Sequence, residues 1–383
     1  MAWAEPPQGY LDAVGGQPLL PVAAEAWSAA QAQAWADPAR LHHRGRRAGM
    51  VLDAARASLA TSLGVRPAEV FLASSAAAAM AAAIAGLRAS RARVGTRVVA
   101  STVESMAVLG AAGGMNMDDS DISDSDVFLV PVDSHGRVDL DAWADALSSP
   151  AAVACLQAAN VEVGTRQPLT AAHAIAREVG VPLVVDATQV IGRDPVPTDW
   201  DVLVAGARDW AGPAGVAVLA VRPHVRWAPP LAPDRGWVGG FPDIASAAAA
   251  ATALEAVLPH REEESTRARA FIDRLRSTLP DAVSGLELVG DPTDRLPHIL
   301  TFTCEGVTGE AVVTELDRHG VAVASGSACA ADTRMPSHVL AAMGVAGDAS
   351  VRVSLPLGVS EESVTALIDA LPPCVATARA ARG

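Results

Sequence analysis

The stretch PLVVDATQVIGRDPVPTDWDVLVAGARDWAGPAGVAVLAV, residues 182–221, carries three apolar runs, at 182–186, 202–205 and 216–221. Each has the length of a strand and is bounded by Gly, Pro or Asp. Runs this short and apolar on both faces read as buried strands of a mainly parallel sheet. Outward from them, further runs at 97–100, 127–132 and 152–157 alternate with helical patterns at 139–147, 169–179 and from residue 67 onward. That alternation predicts an α/β domain, its sheet wrapped by helices.

A second part begins near residue 245. An alanine-rich helix there leads into REEESTRARAFIDRLRSTL (261–279), followed by strand-like segments at 299–303, 321–324 and 351–355 and a closing helix at 361–371. The division expected is residues 1–20 packing on the small domain, 21–245 as the large α/β domain and 246–383 as a smaller α+β domain.

Composition narrows the function classes. Half of the 383 residues are apolar and the net charge is −14, with the basic residues dispersed, which argues against nucleic acid as a general partner. There is no apolar run long enough for a membrane span and no leader-like start, so the expectation is a cytoplasmic protein without membrane association. The four cysteines, Cys155, Cys304, Cys329 and Cys374, lie far apart without CxxC spacing. They read as reduced thiols, with no disulfide framework and no metal site. The run DDSDISDSD (118–126) reads as a solvated surface loop.

The most specific local signal is VAVASGSACAADTRMPSHVLAAMG, residues 321–344. Cys155 and Cys304 sit in apolar strands and read as small buried side chains. Cys329 lies among small residues outside any periodic pattern, where a loop can project a thiol. Some way on, Arg352 in VRVSLPLG (351–358) offers a planar cation that could clamp a carboxylate.

That segment resembles the active-cysteine loop of the cysteine desulfurases, class V aminotransferase-like enzymes of the type I pyridoxal-phosphate fold. YLDAVGGQPLLPVA (10–23), DPARLHHRGRRA (37–48), NVEVGTRQPL (160–169) and VVDATQVIGRDPV (184–196) resemble further stretches of that family. The resemblance implies a mainly parallel, seven-stranded-type sheet, a smaller C-terminal domain, and a dimer with the active site at the interface, made with itself or with a related subunit. It also implies that Asp186 faces the cofactor's pyridinium nitrogen, Gln189 its ring hydroxyl, and that Asn160 and Arg352 contact substrate.

The departures from the family are concentrated at the implied cofactor. All 29 basic residues counted as Lys or Arg are arginine, so no lysine is present to hold pyridoxal phosphate as a Schiff base. The family's lysine segment reads GARDWAGP (206–213), with Asp209 in the lysine place and Arg208 beside it. Ala77 stands where a phosphate-binding threonine is expected, Ser105 where a ring-stacking histidine is expected, Val161 replaces an asparagine and Phe241 a threonine. The expectation from these losses is that no cofactor is held, that Arg208 pairs with Asp186, and that Trp210, Trp237 and Phe241 fill vacated volume.

Four functions follow as alternatives. Cys329 accepts sulfur from a donor protein or molecule and relays it to an acceptor. The chain is a non-catalytic subunit supporting an active paralogue. The old cleft hosts different chemistry, with Cys329 as nucleophile, Arg352 on a carboxylate and Asp209, Asp186, Arg208 or His338 assisting. Lastly, the chain is a desulfurase with noncovalently held pyridoxal phosphate.

Overall fold

A computed structural model describes residues 3–113, 126–325 and 337–381. Cys329 and most of the acidic run lie outside the described residues.

The first part of the chain runs α1 (Pro21–Gln33), α2 (His43–Leu63), β1 (Val70–Ala73), α3 (Ala76–Arg91), β2 (Val98–Ser101), α4 (Met106–Ala112), β3 (Val127–Val130) and α5 (Leu140–Leu147). It continues through β4 (Val153–Cys155), α6 (Leu169–Glu178), β5 (Leu183–Asp186), β6 (Val202–Gly206), β7 (Ala217–Val221), β8 (Trp237–Val238) and α7 (Ile244–Val257). The remainder is α8 (Arg261–Ala282), β9 (Leu286–Val289), β10 (Ile299–Cys304), α9 (Gly309–Arg318), β11 (Ala324–Ser325), α10 (His338–Ala342), β12 (Ser350–Ser354) and α11 (Glu361–Ala380).

Eight strands form one sheet in the order β3-β2-β4-β5-β6-β7-β1-β8. β3, β2, β4, β5 and β6 are mutually parallel, whereas β7 is antiparallel to both β6 and β1. Every residue of β2, β4, β6 and β7 is buried, which is why these segments read as unbroken apolar runs. In this sheet two strands were not legible in advance: β1, cut short by serines, and the two-residue β8.

The small domain carries a four-stranded antiparallel sheet, β11-β12-β10-β9, covered by α8, α9 and α11. The N-terminal segment joins it: Tyr10 bridges Ala322 and Asp12 bridges Ser354 in parallel register.

The boundary expected at residue 245 is displaced. α7 is buried nearly all round, and its residues from Ile244 to Val257 belong to the large-domain core with Leu52, Leu59 and Trp210. The small-domain core begins in α8, at Ala268 and Ile272. An alanine helix without a polar face packs on several sides at once, and α7 lies against α1, α2 and the 3-10 turn Ala207–Trp210.

One contact fixes the turn that carries Asp209. Gly192 has φ +84°, and a Cβ there would lie 2.8 Å from the Trp210 Cβ. Gly192→Ala is expected to lower unfolding free energy by about 1–3 kcal/mol through backbone strain and overpacking, read by urea denaturation at pH 6.

Candidate functional site

In a parallel sheet the strands end along one edge, and the loops that follow them converge there. β2 ends at Ser101 and leads to Glu104 and Ser105, β4 leads to Asn160, β5 ends on Asp186, and β6 leads into a short 3-10 turn, Ala207–Trp210. β1, parallel to these, leads to the N-terminus of α3, where the Ser75 hydroxyl accepts from the Ala78 N–H.

The 3-10 turn divides its two central residues. Arg208 points outward, exposed beside Gly16, Gln17 and Trp27. Asp209 points inward and is 7% exposed. Its Oδ1 accepts from the Gln189 amide at 2.7 Å, and its backbone carbonyl accepts from the Gln17 amide at 2.7 Å. Burial pushes the Asp209 carboxyl up to about 7; the nearby Asp186 charge raises it further, while Arg208, the Gln189 hydrogen bond and Arg193 pull the other way. Gln189 is itself held: its carbonyl oxygen lies 3.2 Å from Nε2 of His298, a fully buried imidazole kept neutral by desolvation.

Asp186 receives the Ser105 hydroxyl at 3.0 Å and the Thr188 N–H at 3.0 Å. The expected Arg208–Asp186 ion pair is not formed: among the described residues Asp186 makes no salt bridge, because the tight turn carries Arg208 to the outer side. Ser105 instead caps α4 and holds Asp186 by its hydroxyl.

Glu104 was not singled out by sequence reading, yet it is fully buried at this edge. Its Oε1 accepts from the Gln157 N–H at 2.6 Å and its Oε2 has no partner. Burial pushes it up to about 8, opposed by the Gln157 N–H and reinforced by the Asp186 charge. Glu162, also buried, accepts the Ser337 hydroxyl at 2.6 Å, and its carboxyl is raised by burial against the pull of Ser337, His338 and Arg352. The available signal was the presence of Glu inside short apolar contexts, STVESM and NVEVG, where a solvated face is improbable on periodicity alone.

Two residues expected at the substrate are otherwise engaged. The Asn160 carbonyl oxygen accepts from the N–H groups of Glu162 and Val163, and its amide donates to the Val103 carbonyl, so it shapes a turn. Arg352, on β12, donates to Asp12 at 3.2 Å, while its Nε is buried without a partner. His338 opens α10 and reaches the Glu104 carbonyl at 2.9 Å. Ala77 is exposed in the first turn of α3. The aromatic residues do not fill the cleft as expected. Trp210 packs behind the turn and donates to the Ala250 carbonyl, Trp237 is built into β8, and Phe241 is 63% exposed.

The profile of the aminotransferase class-V family matches residues 10–367. The chain belongs to that family. It is 34% identical over 97% of its length to an IscS-like cysteine desulfurase of Mycobacterium tuberculosis, 97% of which is covered. It is 32% identical to the cysteine desulfurase NifS of Azotobacter vinelandii over 90% of this chain and 86% of that one. A solved structure of a NifS-like protein superposes with a TM-score of 0.86 at 24% identity, covering 97% of this chain and 100% of the other. The fold is therefore that of the type I pyridoxal-phosphate enzymes, and the chain is cysteine desulfurase-like.

This membership overturns the expectation that no cofactor is held. The family and its desulfurase relatives point to pyridoxal phosphate; Asp186 at the end of β5 and Gln189, bonded to Asp209, are the residues that would hold its ring. The unpartnered buried hydroxyl of Thr188 lies between them in sequence. The N-terminus of α3 would receive the phosphate. In the segment where the resemblance expects a lysine, the buried group is the Asp209 carboxyl.

Among the described residues no cluster of metal-ligating side chains occurs, and no helix is long and apolar enough to cross a membrane.

The buried carboxyls give the site a pH signature. Glu104 has an ordinary value of 4.5 and a folded value of about 8, so the folded state keeps a proton that the unfolded state releases. Stability is then complete below the ordinary carboxylate range and falls as pH rises toward about 8, by at most about 1.4 kcal/mol per pH unit for each such group. Glu104→Gln is expected to flatten this decline, measured by urea denaturation at several pH values; an unchanged slope would show that Glu104 titrates normally.

Proposed function

We propose that this protein handles sulfur through Cys329, accepting it as a persulfide and passing it on, as a desulfurase-like member that lacks the lysine-dependent step of its relatives. The observation that carries the reading concerns the other thiols. Cys155, Cys304 and Cys374 are all buried. Burial raises the Cys155 thiol well above its ordinary value and Cys304 to about 11, and also raises Cys374. A thiol reacts as its thiolate, so these three are poor nucleophiles. Only Cys329, in its small-residue segment, is left to carry thiol chemistry.

The transfer is balanced without an oxidant. The Cys329 thiolate attacks the outer sulfur of a donor persulfide, that S–S bond breaks, the donor leaves as a thiolate, and Cys329 becomes the persulfide. A second attack by an acceptor thiolate removes the sulfur and restores Cys329.

A second reading, a desulfurase with noncovalently held pyridoxal phosphate, is favoured by the retained pair Asp186 and Gln189 and by the relatives' names. When bound, that cofactor supplies an electron sink for bonds at the carbon bearing the substrate amine. In this chain Asp186 would hold the ring, and Asp209, with its proton available near neutrality, is the group at the lysine place that can hold or give up a proton. The partner in either reading is a thiol-bearing donor or acceptor, and a dimer, with itself or a related subunit, is part of the proposal.

Incubation with a low-molecular persulfide should add about 32 Da to the intact chain, with the added mass on the Cys329 peptide and none in Cys329→Ser. No gain under conditions that load another persulfide carrier overturns the relay. The second reading is separated by an independent variant. Asp209→Lys, mixed with pyridoxal phosphate and reduced with borohydride, should retain the cofactor as a stable mass gain on the 206–213 peptide. Absence of labelling there would show that residue 209 does not face the ring. Release of sulfide from free cysteine by the unaltered chain with pyridoxal phosphate, lost in Asp186→Ala, would favour the second reading over the first.

A further inference from the structure

At the sheet edge opposite the carboxyl-rich site lies a cavity of about 810 Å³ whose rim is cationic. Five arginines line it: Arg91, Arg93, Arg177, Arg222 and Arg226. In a chain of net charge −14 such a concentration is unusual and calls for a cause.

Helix ends explain part of it. Arg91 and Arg177 stand in the last turns of α3 and α6, where the helix dipole favours a cation. Arg222 is also accounted for, stacked 3.7 Å from the Trp200 ring centroid and 3.8 Å from Glu69. Arg93 and Arg226 have neither arrangement, and Arg93, Arg177 and Arg226 make no salt bridge among the described residues. The Arg91 Nε is buried with no hydrogen-bond partner.

The one carboxylate of the lining is already committed. Asp201 is 4% exposed and accepts from the Leu183 N–H at 2.9 Å, while His173 and His224 contact its two oxygens at 3.2 and 2.7 Å. Its oxygens are thus already engaged by these three groups, and it makes no salt bridge to an arginine among the described residues. The lining also carries apolar side chains, Val94, Val181 and Val225.

We propose that this cavity binds a small organic anion of the di- or triphosphate class, its phosphates bridged by Arg93, Arg177 and Arg226 and its organic part resting on these valines. Guanidinium forks match phosphate oxygens two at a time, which suits three unpaired arginines around a concave surface. Concavity and apolar lining side chains favour a small molecule over an extended acidic chain. The site lies at the far end of the strands from Asp186 and Asp209, so it stands independently of the sulfur-handling reading.

Calorimetric titration of the full chain with pyrophosphate, ADP and ATP at about 50 mM and about 300 mM NaCl tests it. Saturable binding of ADP or ATP is expected, weaker at the higher salt. Arg177→Gln and Arg93→Gln should each weaken it about fivefold or more, the loss of one close charge contact at a solvated site, with Arg44→Gln on α2 unchanged. Pyrophosphate binding as tightly as ATP would support the anion contacts and remove the role of the valines. Absence of saturable binding by all three, equal weakening by Arg44→Gln, or binding of polyglutamate with none of the phosphates, would overturn the proposal. Circular dichroism of the variants separates loss of binding from loss of fold.

Discussion

A carboxyl group buried at the end of β6 sets the character of this structure. Asp209, in the segment where the family resemblance calls for a lysine, lies at a sheet edge that also carries Asp186 and Glu104. An ammonium there would be attracted by both carboxylates and would lower the cost of keeping them ionised. A third carboxylate does the reverse. Like charges in a poorly solvated cleft cost several kcal/mol, and proteins relieve that by keeping a proton rather than a charge. Burial is the main cause of the upward shifts of Asp209 and Glu104, and the Asp186 charge adds to both.

Neutral hydrogen-bonding groups then do the positioning that charge would otherwise do. Gln17 and Gln189 hold the two ends of Asp209, and neutral His298 lies against Gln189. Arg193, 5% exposed, donates to Gln17 and is itself lowered to about 10 by desolvation. The chain of contacts runs from the N-terminal segment through the large domain to the residue preceding β10. Domain placement and the state of the site are thus one arrangement, because Gln17 also accepts from the Leu357 N–H of the small domain.

Much of the scaffold was legible because burial on both faces writes itself as apolar runs: β2, β4, β5, β6 and β7 fall within a residue or two of the segments read from sequence. β9 was missed because Glu287, exposed in the middle of LELV, interrupts the apolar run, and the domain boundary because an alanine-rich helix has no polar stripe to show which side it joins. The site was only half legible. Motif resemblance located Asp186, Gln189 and the turn at 206–213, yet the pairing of Arg208 with Asp186 failed on a single rotational step. Ala211, at φ +59°, closes a turn so tight that neighbouring side chains face opposite ways. The contacts of His298 with Gln189 and of Ser105 with Asp186 span 109 and 81 residues, separations at which one sequence carries no local signal.

The absence of lysine has a consequence beyond residue 209. Every long cationic side chain here is a guanidinium, which stays charged when partly buried, whereas an ammonium in the same place can lose its proton. Arg295, 2% exposed, and Arg352, 6% exposed, hold such positions in the small domain. Proton exchange near neutrality is left to carboxyls, imidazoles and thiols, and the carboxyls that take part are gathered at one edge of the large sheet. Five arginines line the cavity at the other end of the strands. The strands between are almost wholly apolar, so the sheet holds the two groups of charged side chains apart.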